Sequence, residues 1–204
     1  MFYKMNNAPH KFFEVYPDID TKIIESYLQG VYQQMCFDGW FGEYSVKNDI
    51  GMVIDVTHKY NIFHYPNKEI STLLSSIRQL TKEACEYYGI DFDKQRYVIH
   101  GWFNLWKLLS TEKIEDKSWH FHDKVGVPNF HGYYCVNAEP SITHYRINGK
   151  SFDNINKNNR AILSETGHEH APGDWLNGHD RITIAYDVLP IGPTIDDGRG
   201  WIRL

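Results

Sequence analysis

The stretch Arg181-Ile182-Thr183-Ile184-Ala185-Tyr186-Asp187-Val188 decides the fold class. Apolar and polar side chains alternate along it at period two, the pattern of a β-strand with one buried face. Upstream lie five more short runs rich in β-branched and aromatic residues: Tyr97–Leu109, Trp119–Asp123, His131–Ala138, Ile142–Ile147 and Arg160–Ser164. Gly, Asn, Asp and Pro separate them, as turns require. Before Gly89 the period is helical. Ile70, Leu73, Leu74, Ile77, Leu80, Ala84 and Tyr87 recur at three and four, which predicts a helix over 69–88 ended by Gly89. A second helix is expected from a cap at Asp20 or Thr21 to about Cys36, its inner face carrying Ile23, Ile24, Tyr27, Leu28, Val31 and Tyr32. Phe12–Val15 and Met52–Val56 are expected as short strands, and Asn154–Asn159 as an exposed turn. Helices followed by six or more closely spaced strands predict a mainly β chain with supporting helices (α+β), a jelly roll preceded by an N-terminal helical region. Residues 1–204 are expected to form one domain: 1–95 as helical lead and support, 96–190 as β core, 191–204 as a C-terminal tail.

A chain of 204 residues can bury ~70% of its unfolded surface, so it needs neither disulfide nor metal merely to fold. The net charge of −5 argues against a binder of phosphate backbones, which would carry a basic stripe. No apolar run reaches the ~18 residues that span a bilayer. The first residues lack the charged-then-apolar pattern of a signal peptide, so a soluble, cytoplasmic protein is expected. Cys36, Cys85 and Cys135 are odd in number and far apart, which reads as reduced buried thiols rather than a disulfide framework. Aromatic residues make up 15% of the chain, suiting β-structure and a pocket with large apolar walls.

Of 11 histidines, eight fall between His100 and His179, and two H-x-H pairs occur: His120-Phe121-His122 and His168-Glu169-His170. On a strand, residues i and i+2 share a face, so both imidazoles of a pair can reach one ion from a rigid backbone. A third ligand must come from elsewhere, and His170 or His168 can supply it. Imidazole suits iron, zinc, copper and nickel alike. Arg181 and Thr183 share a face of their strand, and a guanidinium fork beside a hydroxyl is a good cradle for a carboxylate.

These pieces resemble the iron(II)- and 2-oxoglutarate-dependent oxygenases, and most closely a branch common in marine bacterial viruses. The resemblance runs over about residues 97–190. It is carried by Gly101-Trp102-Phe103-Asn104, Trp119-His120-Phe121-His122-Asp123, His131-Gly132-Tyr133-Tyr134-Cys135-Val136, Gly167-His168-Glu169-His170 and Arg181-Ile182-Thr183-Ile184-Ala185-Tyr186-Asp187. It implies a double-stranded β-helix of the cupin-like kind, with iron(II) held by His120, His122 and His170. His170 is preferred to His168 because it stands eleven residues before Arg181. The co-substrate 2-oxoglutarate would be bound by Arg181 and Thr183 at its far carboxylate, with Asn104 and Tyr145 as further donors. Trp102, Tyr134 and Tyr145 would line the substrate cavity. Dioxygen and a small-molecule substrate are the implied partners, host cytoplasm the implied location, and a homo-oligomer is left open. One departure stands out: most members carry a carboxylate where this chain has His122, and Asp123 comes one residue late, on the opposite strand face unless a bulge intervenes.

Two other readings compete. One is a three-histidine zinc lyase or hydrolase using His120, His122 and His144, where zinc-bound water ionises near neutrality. The other is a non-enzymatic jelly-roll binding protein whose histidines are structural.

Overall fold

The structure, a computed structural model, describes residues 10–38, 60–106, 119–122, 129–173, 175, 179–191 and 200–204. Within them the sequence periods turn into a six-stranded sheet, a three-stranded sheet and two long helices. The elements run β1 (Phe13–Val15), α1 (Thr21–Phe37), a 3-10 turn (Ile62–His64), α2 (Lys68–Tyr87), α3 (Phe92–Gln95) and β2 (Tyr97–Trp106). They continue as β3 (Phe130–Asn137), β4 (Ile142–Ile147), β5 (Lys150–Ile155), β6 (Ala161–Glu165), β7 (Glu169–Pro172), β8 (Arg181–Pro190) and β9 (Ile202–Arg203).

The large sheet has the order β1-β6-β3-β8-β2-β9 and the small one β5-β4-β7, with antiparallel pairing throughout. This is the mainly β, jelly-roll arrangement expected from the spacing of the runs. The helices follow β1 and precede the other strands, and they back the large sheet, α1 against β3 and α2 against β1 and β6. Asn67 caps α2, its side-chain oxygen accepting from the backbone N–H groups of Glu69 and Ile70 at 2.8 and 3.3 Å. The other end closes at Gly89, whose φ of 70° is a left-handed value that glycine adopts without strain. Asp20 caps α1 by accepting from Lys22 N at 2.9 Å. Its buried face is Ile24, Leu28 and Met35, while Ile23, expected on that face, is half exposed.

β8 is central and buried along its whole length, yet its two faces differ. Ile182, Ile184, Tyr186 and Val188 join the core against the helices, along with Phe103, Phe130, Tyr134, Leu73 and Ile77. Arg181, Thr183, Ala185 and Asp187 take the other face. Across the ladders His100, Trp102 and Asn104 of β2 and His131, Tyr133 and Cys135 of β3 sit opposite those residues, so they share that face. One side of the sheet is thus an apolar core and the other a polar, aromatic interior. Gly132 is one position where packing leaves no room. A Cβ there would run into the Ile162 carbonyl oxygen and the Tyr186 ring.

Several expectations need revision. β5 and β7 were not foreseen: β5 is largely exposed and shows no alternation, and β7 is only four residues long. Trp119–Asp123 is not a regular strand in its described part, which makes an isolated bridge from His120 to His170. Met52–Val56 and Asp123 lie outside the described residues. Cys85 and Cys135 are free and buried. No helix among the described residues is long and apolar enough to cross a membrane.

Candidate metal centre

His120 and His170 face each other across a two-way backbone bridge, His120 N to His170 O at 3.1 Å and His170 N to His120 O at 2.8 Å. Directly opposed residues of an antiparallel pair share a face, so the bridge sets the two imidazoles side by side, with centroids 4.3 Å apart. His122, two residues on, joins them at 5.3 Å from His120 and 5.2 Å from His170. One ring nitrogen from each of the three lies within 4.8 Å of the others. His170 is buried and His120 faces solvent.

The same bridge would place His168 opposite His122 if the ladder stayed regular. It does not. Gly167, at φ 91°, donates its N–H to His122 O in the place His168 would take, and the slip turns His168 away from the cluster. His168 lies instead against Glu165 and His10.

Two residues of this site were not singled out in the sequence. Asp187 ends the polar face of β8 and holds two rings at once. His122 Nδ1 lies 3.0 and 3.2 Å from its two carboxylate oxygens, and His131 Nδ1 lies 2.9 Å from Oδ1. Burial would raise the Asp187 pKa, but these imidazole hydrogen bonds outweigh it and hold the carboxyl well below the usual range. His131 stacks on His122 with centroids 3.9 Å apart and planes 15° apart, and reaches within 4.8 Å of His170. A fourth imidazole therefore lines the centre. The period-two rule, applied outward from Arg181, would have placed Asp187 on this face. His131 needed the β3–β8 register, which the sequence does not state.

With Nδ1 fixed on Asp187, each of these two rings leaves its Nε2 on the side away from that carboxylate. The Nε2 of His122 is buried and has no hydrogen-bond partner. A carboxylate behind an imidazole whose other nitrogen is uncommitted is the arrangement that orients a metal-ligating histidine. Replacing Asp187 by Asn should lower affinity for a divalent metal by ~10–100-fold, read by chelator competition. Unchanged affinity would mean that Asp187 serves only the fold.

Desolvation, reinforced by the neighbouring imidazoles, holds His131 at a pKa of about 4 and His170 at about 2, against 6.5 for the free side chain. Both rings stay neutral in the fold at pH 5, whereas in the unfolded chain they take up protons. A depressed histidine pKa therefore costs stability as pH falls from about 6.5 toward 4. The loss from His131 alone is on the order of 3 kcal/mol. Glu165, held at about 2 by His10 and His168 despite burial that would raise it, adds a further loss below its ordinary value of 4.5. The metal-free protein should show a falling denaturation midpoint between pH 7 and pH 4. A flat profile would contradict neutral burial of these rings.

Arg181 and Thr183 are both buried on the interior face of β8. Arg181 Nε donates to Ser141 Oγ at 3.3 Å, and that hydroxyl is fixed in turn by Ala138 O at 2.5 Å and Asn156 Nδ2 at 2.8 Å. Among the described residues the guanidinium pairs with no carboxylate. Asn104 stands opposite Thr183 in the β2–β8 ladder and is half buried. Tyr145 stands opposite His170 on β4, its ring 5.7 Å away, and burial raises its hydroxyl pKa well above the ordinary value. Trp102 stacks over His122 at 5.8 Å. A small cleft runs along His122, His131, Tyr145, Ser164, Glu165, Thr166, His168 and His170.

Two expected residues do not reach the cleft. Tyr134 is one residue out of phase with His131 and Tyr133, so it packs in the helix-facing core with its hydroxyl donating to Asn159 Oδ1 at 2.9 Å. His144 is one residue out of phase with Tyr145, and its Nδ1 pairs with Asp153 at 2.7 Å. It therefore does not join His120 and His122, and the zinc site built on it has no geometry.

No family model matches the sequence, and neither does any curated protein. Solved structures do match over most of the chain. A prolyl-4-hydroxylase from Pseudomonas putida aligns at TM-score 0.55 and 9% identity, covering 90% of this chain and 88% of its own. AviO1 from Streptomyces viridochromogenes aligns at 0.52 and 14%, covering 91% of each chain. HygX from Streptomyces hygroscopicus, solved with nickel and 2-oxoglutarate bound, aligns at 0.50 and 10%, covering 88% and 82%. At this level of identity what is shared is the fold: this chain has the jelly roll on which those proteins are built.

Proposed function

We propose that this chain is an iron(II)- and 2-oxoglutarate-dependent oxygenase that oxidises a C–H bond of a small molecule while 2-oxoglutarate is converted to succinate. The observation that carries the reading is Arg181. A buried guanidinium that meets no carboxylate among the described residues is costly, and its place on the interior face of β8, the face that also carries Asp187 of the histidine cluster, suits a dianion held between cation and metal. The matched structures include a hydroxylase and a protein holding 2-oxoglutarate with a metal, which favours the same reading.

The donor set fits iron(II): three imidazoles, one with a buried and uncommitted Nε2, backed by a carboxylate. His120, His122 and His170 would hold the ion, which when bound supplies the redox chemistry that activates dioxygen. The chain's own part is binding and exclusion. Arg181 clasps the far carboxylate of 2-oxoglutarate with Thr183 beside it, and Asn104 and Tyr145 are neutral donors along the same path. Asp187 fixes the His122 ring and keeps its Nδ1 protonated, so that Nε2 stays a lone-pair donor. Trp102 and His131 wall the centre and keep bulk water from its inner side. A place in the viral branch of these enzymes, with host cytoplasm as the location, is the finer form of the proposal and rests on the motif order alone.

The test is succinate formation. Protein loaded with iron(II) in air should convert 2-oxoglutarate to succinate, slowly without the true substrate, and zinc loading should abolish it. Equal turnover with zinc, or no succinate from a protein shown to hold iron and 2-oxoglutarate, would overturn the reading.

A further inference from the structure

The second H-x-H pair is only half used by the three-histidine cluster, which takes His170 and leaves His168. His168 Nε2 lies 3.4 Å from Glu165 Oε1, and His10 Nδ1 lies 3.1 Å from the same oxygen. The three potential ligand atoms all fall within 4.8 Å of one another. They come from three separate places: the lead before β1, the end of β6 and the turn into β7.

The rings of His10 and His168 meet edge to face, at 4.4 Å and 82°, and each turns one nitrogen toward the same Glu165 oxygen. An ion with metal–nitrogen bonds of ~2.0–2.1 Å in tetrahedral geometry spaces its ligands about 3.3 Å apart, which the two nitrogen–oxygen separations bracket. The side chains are only 11%, 23% and 16% exposed for His10, Glu165 and His168. The other ring nitrogen of His10 is buried with no partner, so the carboxylate satisfies that ring only in part.

We propose that His10, Glu165 and His168 form a second metal site, for a divalent ion of the zinc class, which clamps the N-terminal lead onto the β6–β7 turn. Two imidazoles and one carboxylate are borderline donors. They are too few in oxygen for calcium or magnesium and lack the thiolates that select copper(I). Water would fill the fourth position. The turn that the ion would fix carries Gly167 and leads into His170. Glu165, Thr166 and His168 line the same cleft as His122, His131 and His170. A clamp here would hold the rim of the three-histidine centre, whatever fills that centre.

The test is a count of zinc(II) equivalents in the metal-free protein, by competition with a chromophoric chelator and by elemental analysis after desalting. Wild type should bind two equivalents. Glu165→Gln and His168→Ala should each bind one. The double variant His120→Ala/His170→Ala should also bind one, and adding Glu165→Gln to it should leave none. Should Glu165→Gln fail to fold, His10→Ala reads the same count, since it removes a ligand from the lead and leaves the β6–β7 turn intact. Retention of one equivalent in the His120/His170 double variant supports the second site independently of the oxygenase reading. No zinc in the His120/His170 double variant, or two equivalents in every variant of the His10 group, would overturn it.

Discussion

His170→Ala abolishes tight iron(II) binding and His168→Ala does not. That is the expected result for two histidines of one H-x-H pair, and it follows from the bridge to His120 and the slip at Gly167. Loss of an outer partner of a metal ligand already costs ~10–100-fold in affinity, so loss of the ligand itself should exceed ~100-fold. His120→Ala and His122→Ala should behave like His170→Ala, all three keeping their far-ultraviolet spectra. His168→Ala should keep affinity within a few-fold, although its total zinc capacity falls. Isothermal titration under anaerobic conditions with iron(II) reads each case. A His168→Ala protein without iron, beside a His170→Ala protein that kept it, would mean that the β7 register is wrong.

Arg181→Ala should raise the concentration of 2-oxoglutarate needed for half-saturation by ~30- to 1000-fold while sparing the metal. A guanidinium fork on a buried carboxylate is worth ~2–4 kcal/mol, because removing it leaves the anion unpaired in a dry pocket. Arg181→Lys should recover only part, since an ammonium cannot bind two oxygens in a plane. Thr183→Val removes one neutral hydrogen bond and should cost about 1 kcal/mol. Iron binding in all three should match wild type. Among the described residues the hydrogen bond of Arg181 goes to Ser141 and not to the three histidines. Equal 2-oxoglutarate affinity in wild type and Arg181→Ala would remove the co-substrate assignment.

Much of the fold was legible because it depends on local period. The helix expected over 69–88 is found at 68–87, and the strand begun at Arg181 runs to Pro190. Both carry long, regular patterns bounded by Asn67, Gly89 and Pro190. β5 was illegible for the opposite reason: Lys150–Ile155 is largely exposed and buries no alternating face. The histidine cluster and the buried cation were legible where a spacing of two brings side chains to one side, as in His120-Phe121-His122 and in Arg181 with Thr183. It was illegible where two strands must be set in register. His131 faces Asp187 only because β3 pairs with β8 at that offset, and His10 meets Glu165 only because β1 lies beside β6. Tyr134 shows the same limit at its smallest: one residue of phase moves it from the cleft to the core.

The claim that joins these observations is that three imidazoles and Arg181 together hold one metal and one 2-oxoglutarate. It is tested most directly by adding 2-oxoglutarate to the iron(II) protein without oxygen and recording the visible spectrum. A weak charge-transfer band should appear with 2-oxoglutarate, stay absent with succinate and vanish in His170→Ala. In Arg181→Ala it should need far more 2-oxoglutarate to form. An iron-loaded protein that shows no band at saturating 2-oxoglutarate would contradict the account.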